Sequence, residues 1–276
     1  MIVLAVAGAC AYGIADFLGG VASRKANVFR VVAISAPASL LIELVLLPLL
    51  GARWNAGSIG WGAASGVASA FAFALLYYAL SIGPMTIMAP ITAIVSAALP
   101  VAVGLAQGEH LSVAEIAGLP VAVCAILLVT VKRGFGATTV SPRAVVIACL
   151  AGIAIATQLI VLDQAPHNSG VAPLIAGRLV SSVIVLAAAV AMRRRIDAGR
   201  PPIAVAAAAG CLDSLANLFF LLAARSGLLS ISATIVALYP AATVILARVL
   251  LKENISRTQW LGLATSAAGV VLLARG

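Results

Sequence analysis

Four ionisable side chains stand deep inside long apolar runs: Asp16, Glu43, Arg178 and Asp213. A charge placed in hydrocarbon is expensive and is kept where it binds, carries or pairs with something. Asp16 and Asp213 are carboxyls that could hold a cationic group of a solute or carry a proton. Asn217 lies one helical turn after Asp213, on the same face. Arg178 could pair with Glu43 or with an Asp, or grip a solute carboxylate through its two-pronged guanidinium. Glu43 is then either a site residue or the partner of Arg178. Gln158 and Tyr12 add polar groups, and Tyr77, Tyr78 and Tyr239 add aromatic faces of the kind that hold organic cations. A packing reading stands beside this one. Each polar group could bond to neighbouring backbone or hydroxyls and lock the helices, and Gly19-Gly20 beside Asp16 suits such close approach.

Enzyme chemistry finds no footing in these residues. The two histidines, His110 and His167, fall in gaps between apolar runs. The chain has no Gly-rich phosphate-binding loop ending in Lys-Ser/Thr, so we expect no ATP site, and no metal or cofactor. Cys10, Cys124, Cys149 and Cys211 each sit in an apolar run without a C-x-x-C pair and read as small core residues. Ser65 has no intramembrane His to make it a protease nucleophile, and Asp16 and Asp213 lie outside the motifs of intramembrane aspartyl proteases.

The elements that must position these groups follow from composition. Of 276 residues 63% are apolar and 9% charged, against about 25% charged in a soluble domain. No water-facing surface can be built from this. The net charge is +9, but the basic residues cluster in short gaps and form no stripe with aromatics, so nucleic acid is excluded as a partner. The lipid bilayer is the expected surroundings. Runs of about 20 apolar residues each suffice to span it, and backbone satisfied within each segment requires helices where no period-2 alternation appears. The chain reads as an all-α integral membrane protein of ten helices: 2–22, 29–50, 57–80, 85–106, 112–131, 144–164, 171–192, 203–224, 229–251 and 257–274. Trp54, Trp61 and Trp260 fall near span ends, as an aromatic belt requires.

A constant shift of 144 residues relates the two halves. Gly8 maps onto Gly152, Gly66 onto Gly210, Gly83 onto Gly227, Glu109 onto Glu253 and Gly118-Leu119 onto Gly262-Leu263. We therefore divide the chain into a first five-helix repeat, 1–132, a central loop, 133–143, and a second repeat, 144–276. Five helices per half is odd, so the second copy enters the membrane from the opposite face. Inverted repeats of this kind typify secondary transporters.

The same segments resemble the drug/metabolite transporter superfamily, in its EamA-type branch. The resemblance rests on Gly13 to Gly20, on Gly177-Arg178-Leu179-Val180, on Ala237-Leu238-Tyr239-Pro240, and on Leu251-Lys252-Glu253 with Trp260-Leu261-Gly262. In the first half Ser96 stands where Pro240 stands in the second, with Pro90 and Pro100 nearby, so helix 4 is expected to bend elsewhere than helix 9. The resemblance implies a central cavity lined mainly by helices 1–4 and 6–9, with helices 5 and 10 peripheral. It also implies termini in the cytoplasm, whereas the loops on the termini's side carry three basic residues against twelve on the other, which places the termini outside. The expected function is a secondary transporter of a small organic solute (metabolite, amino acid or drug-like molecule) in a bacterial inner membrane, working outward by alternating access and driven by a solute or proton gradient. The rivals are a lipid or lipid-linked sugar flippase of the same fold and a non-transporting assembly partner. The substrate and the oligomeric state, monomer included, are left open.

Overall fold

The computed structural model describes residues 1–83, 85–130, 141–192, 202–250 and 256–275. Most of the expected central loop lies outside these residues. So do Glu253, the segment Leu251-Lys252-Glu253, and seven of the basic residues counted for orientation: Lys132, Arg133, Arg193, Arg194, Arg195, Arg200 and Lys252.

The described residues form α-helices and one short 3-10 turn, His167–Ser169. The helices are α1 (Ile2–Lys25), α2 (Val28–Leu50), α3 (Ala56–Ile82), α4 (Met85–Ala106), α5 (Val113–Thr130), α6 (Pro142–Asp163), α7 (Ala172–Met192), α8 (Ile203–Ala224), α9 (Leu229–Val236), α10 (Pro240–Leu250) and α11 (Arg257–Leu273). Seven of them, α1 to α4 and α6 to α8, are long and apolar enough to cross a membrane. Shorter apolar helices run over Val113–Leu128 and Leu229–Thr243. The chain is a multi-pass membrane protein.

Local chemistry sets the helix ends. Asn55 accepts from the Ser58 amide at 2.8 Å while the Ser58 hydroxyl accepts from the Asn55 amide at 3.0 Å, a reciprocal cap that starts α3. Ser112 with Glu115 and Ser256 with Gln259 start α5 and α11 in the same way. Arg24 and Lys25 end α1, where cations oppose the negative end of the helix dipole. Gly51, at φ 68°, ends α2 in a conformation that suits glycine.

One expected helix is two. The run 229–251 breaks at Ala237-Leu238-Tyr239, between α9 and α10. Pro240 has no amide hydrogen, and its ring clashes with the carbonyl four residues earlier. The turn is held from outside by the Tyr239 hydroxyl, which donates to the Ala89 carbonyl of α4 at 3.0 Å. By contrast α4 runs unbroken through Pro90 and Pro100.

The most extensive helix pairings join the first half of the chain to the second. α1 lies on α8, α2 on α7 and α8, α3 on α6 and α7, α4 on α6 and α9, and α5 on α11. Small residues let backbones meet. A Cβ at Gly66 would overlap the Gly177 carbonyl, one at Gly62 the backbone of Pro173, and one at Gly210 the Ser35 carbonyl. Hydroxyls also cross between helices: Ser35 donates to Ala206 O at 2.8 Å, Ser65 to Gln158 O at 3.0 Å, Thr92 to Ala148 O at 3.1 Å and Thr243 to Gly13 O at 3.1 Å.

At one end of the bundle the connections are tied together. Ala52 bridges to Gly170, with the Arg53 amide donating to Ser169 O and the Val171 amide to Gly51 O, both at 3.0 Å. Arg225 donates to Gly170 O at 2.8 Å and to the Ser169 hydroxyl at 3.1 Å. Glu109 accepts from the Leu229 amide at 2.7 Å and the Ser230 amide at 3.2 Å, and from the Ser230 hydroxyl, capping α9 from the α4–α5 connection.

Candidate functional site

A cavity lies where the two halves meet. Its free volume is about 30 Å³, room for about two water molecules. α1 contributes Tyr12 and Asp16, which share a face because they are four residues apart. α3 contributes Phe73, Leu76 and Tyr77, α4 Ser96, α6 Ile155, Gln158 and Leu159, and α8 Asp213. The α9–α10 break supplies Val236, Ala237 and Tyr239, so the interrupted helix turns an otherwise lipid-like segment into part of the wall. α5 and α11 contribute no lining residue and pack on each other.

Beside the cavity runs a chain of polar side chains centred on Arg178, which is only 3% exposed. Its Nη2 donates to Asp213 Oδ2 at 2.5 Å, its Nη1 to the Ser69 hydroxyl at 3.0 Å, and its Nε faces Glu43 Oε1 at 3.4 Å. The guanidinium also lies 5.4 Å from the centre of the Phe73 ring, a cation–π distance. The Ser214 hydroxyl donates to Glu43 Oε1, and Glu43 Oε2 is buried without a partner. Asp213 Oδ2 further accepts from Asn217 Nδ2 at 3.2 Å, and Asn217 Oδ1 accepts from Gln158 Nε2 at 2.5 Å. Glu43, Arg178, Asp213, Asn217 and Gln158 thus form one continuous line across α2, α7, α8 and α6.

This line separates two spaces. A smaller cavity, about 10 Å³, lies on its other side among Ser65, Ser69, Pro173, Leu174, Gly177 and Arg178. Gln158 borders both. The smaller space is flanked by the start of α3, the end of α6 and the start of α7, the end of the bundle where the connections are tied.

Asp16 stands apart from this network. It is 4% exposed, lines the larger cavity, and has no hydrogen bond or ion pair among the described residues. The Tyr12 hydroxyl one turn earlier is buried and equally without a partner.

The sequence-derived candidates therefore divide into groups. Tyr12, Asp16, Gln158, Asp213 and Tyr239 line the larger cavity; Arg178, Glu43 and Asn217 form the polar line beside it. Tyr78 is elsewhere, its hydroxyl accepting from Arg143 at 3.2 Å, and its neighbour Tyr77 points into the cavity instead. Ser69, Phe73, Ser96 and Ser214 were not anticipated. Ser65, Ser69, Phe73 and Tyr77 recur every four residues, a stripe that marks one face of α3 toward Arg178 and the cavity. Among the described residues no group of three or more His, Cys, Asp or Glu could hold a metal ion.

Comparison with known proteins adds a family and a fold. Residues 142–275 match the family described as the EamA-like transporter family. No curated protein matches the chain. One solved structure, described only as a crystal structure of a protein, aligns over 98% of this chain and 95% of its own with a TM-score of 0.73. At 14% identity that likeness concerns the fold alone.

Proposed function

We propose that the chain, whose residues 142–275 match the EamA-like transporter family, is a secondary carrier moving a small organic solute by alternating access around the larger cavity. The observation that carries this reading is the cavity itself: a hollow between the halves of the chain, with polar and ionisable groups on its walls. A packed assembly subunit would bond every buried carboxyl; Asp16 is left unbonded. A flippase would offer a free cation to a head group, whereas the buried Arg178 is fully engaged by Asp213, Glu43 and Ser69.

In this reading the chain crosses the membrane ten times, in repeats 1–132 and 144–276 of opposite orientation joined by 133–143, in a bacterial-type inner membrane. The packing supports the repeat. Gly8 faces Val236 and Gly152 faces Thr92, and the members of each of these two sets of positions are 144 apart. Gly66 and Gly210 are also 144 apart, and each meets the backbone of the second helix of the opposite half, α7 or α2. The pairings α1–α8 and α3–α6 exchange under the same shift, as do α2–α8 and α3–α7. Two related halves of opposite orientation can trade conformations, so that the arrangement now tied at one end forms at the other. A solute or proton gradient drives the exchange.

The test is reconstitution into proteoliposomes and counterflow with a panel of amino acids, amines and neutral metabolites, with and without a pH gradient. Saturable flux of one class is expected. Folded protein with no flux of any member overturns the carrier.

A further inference from the structure

We infer that the solute taken by the larger cavity is a monocation of the protonated-amine class, seated with its charge on the Asp16 carboxylate and its body against the aromatic wall. The inference rests on the carrier reading above and names its cargo.

The first observation is the unpaired carboxyl. Asp16 is 96% withdrawn from solvent and faces the hollow without a partner of its own. A buried carboxylate needs a counter-charge or hydrogen bonds, and the structure supplies neither. The second observation is the state of the other charges. Asp213 also faces the cavity but is already bonded by Arg178 and Asn217. Arg178, the one cation buried among the described residues, is spent on Asp213, Glu43 and Ser69 and stacks over Phe73. An anionic solute would thus meet Asp16 with no free cation to receive it. A neutral solute could give Asp16 a hydrogen bond but no counter-charge.

The third observation is the lining. Tyr12, Phe73, Tyr77 and Tyr239 surround the space next to Asp16. Aromatic faces attract ammonium groups, and more strongly where water is excluded. The free Tyr12 hydroxyl, one turn from Asp16, offers a further acceptor for an N–H. Asp16 is the counter-ion in this arrangement, and the tyrosines set the shape of what fits.

Three probes of similar size differing in charge test this on the detergent-solubilised full chain: benzylamine, benzyl alcohol and benzoate. Calorimetry and thermal shift are read together. Benzylamine is expected to bind at least about tenfold more tightly than either companion, a difference of about 1.4 kcal/mol, and to raise the Tm as a ligand of the folded state does. D16N, which preserves shape, is expected to abolish the preference, and D16E to retain it in part. Equal affinities for the three probes in the unaltered protein, tighter binding of benzoate, or an undiminished preference in a folded D16N overturns the inference. Should D16N fail to fold, the comparison in the unaltered protein still decides. Flux of neutral or anionic solutes without amine preference would leave the carrier standing and this cargo refuted. Amine binding with no flux of any compound would leave an amine site at Asp16 and refute the carrier.

Discussion

Arg178 is where the largest single-residue effects are expected. Replacing it by Met leaves the buried Glu43 and the mostly buried Asp213 without their cation, and breaking a buried ion pair from one side costs about 3–5 kcal/mol. The Tm of R178M in detergent should fall accordingly. E43Q should be milder, because Nε faces Glu43 at 3.4 Å while Nη2 meets Asp213 at 2.5 Å. The triple variant E43Q/R178M/D213N should recover much of the loss, since it removes the stranded charges together; a Tm no better than that of R178M would contradict this account. At this scale the sequence reached part of the answer. The four-residue spacing put Asp213 and Asn217 on one face, and the structure bonds them. It left the partner of Arg178 open between Glu43 and an Asp, because that choice depends on how closely α2 and α8 approach α7. The answer is both. It favoured Tyr78 over Tyr77, its neighbour about a hundred degrees around the helix, whereas Tyr77 lines the cavity and Tyr78 meets Arg143.

Helices α9 and α4 show what proline can and cannot decide on its own. Both spans carry proline, yet one breaks at Tyr239-Pro240 and the other continues through Pro90 and Pro100. Neighbouring groups settle the matter. At the break, the Tyr239 hydroxyl is anchored to Ala89 of α4. Y239F removes that bond and should cost about 0.5–1.5 kcal/mol, read as a lower Tm with helix content unchanged by circular dichroism. The start of α9 is held from another connection by Glu109. E109A strips the α9 amides of their acceptor and should cost about 0.5–2 kcal/mol, the range for a lost helix cap; an unaltered Tm would show that the cap contributes nothing. Boundaries elsewhere followed closely from apolar run length: α4 spans 85–106 and α8 spans 203–224, both as the sequence indicates.

Orientation of the halves is a question for the whole molecule. Ile82 at the end of α3 and Ser226 after α8 are 144 residues apart, and the side chain of Ile82 is exposed. In a cysteine-free background, I82C and S226C should react with an impermeant maleimide from opposite faces of sealed vesicles. Labelling from one face would refute the inversion of the second repeat. The same experiment decides which face the termini occupy, over which basic-residue count and family resemblance disagree. The 144-residue shift was legible as a constant register of small residues. The pairing of first-half helices with second-half helices was not, because a shift in sequence says nothing of how two halves interleave.

The glycine contacts have a consequence for any motion. At Gly66 with Gly177 and at Gly210 with Ser35, main chain of one half presses directly on main chain of the other. No side chain lies between to change rotamer or to stretch. Such points resist separation and shear, and on the carrier reading they would serve as twin fulcrums about which the halves tilt as levers. Widening one mouth while narrowing the other then requires no parting of the axle.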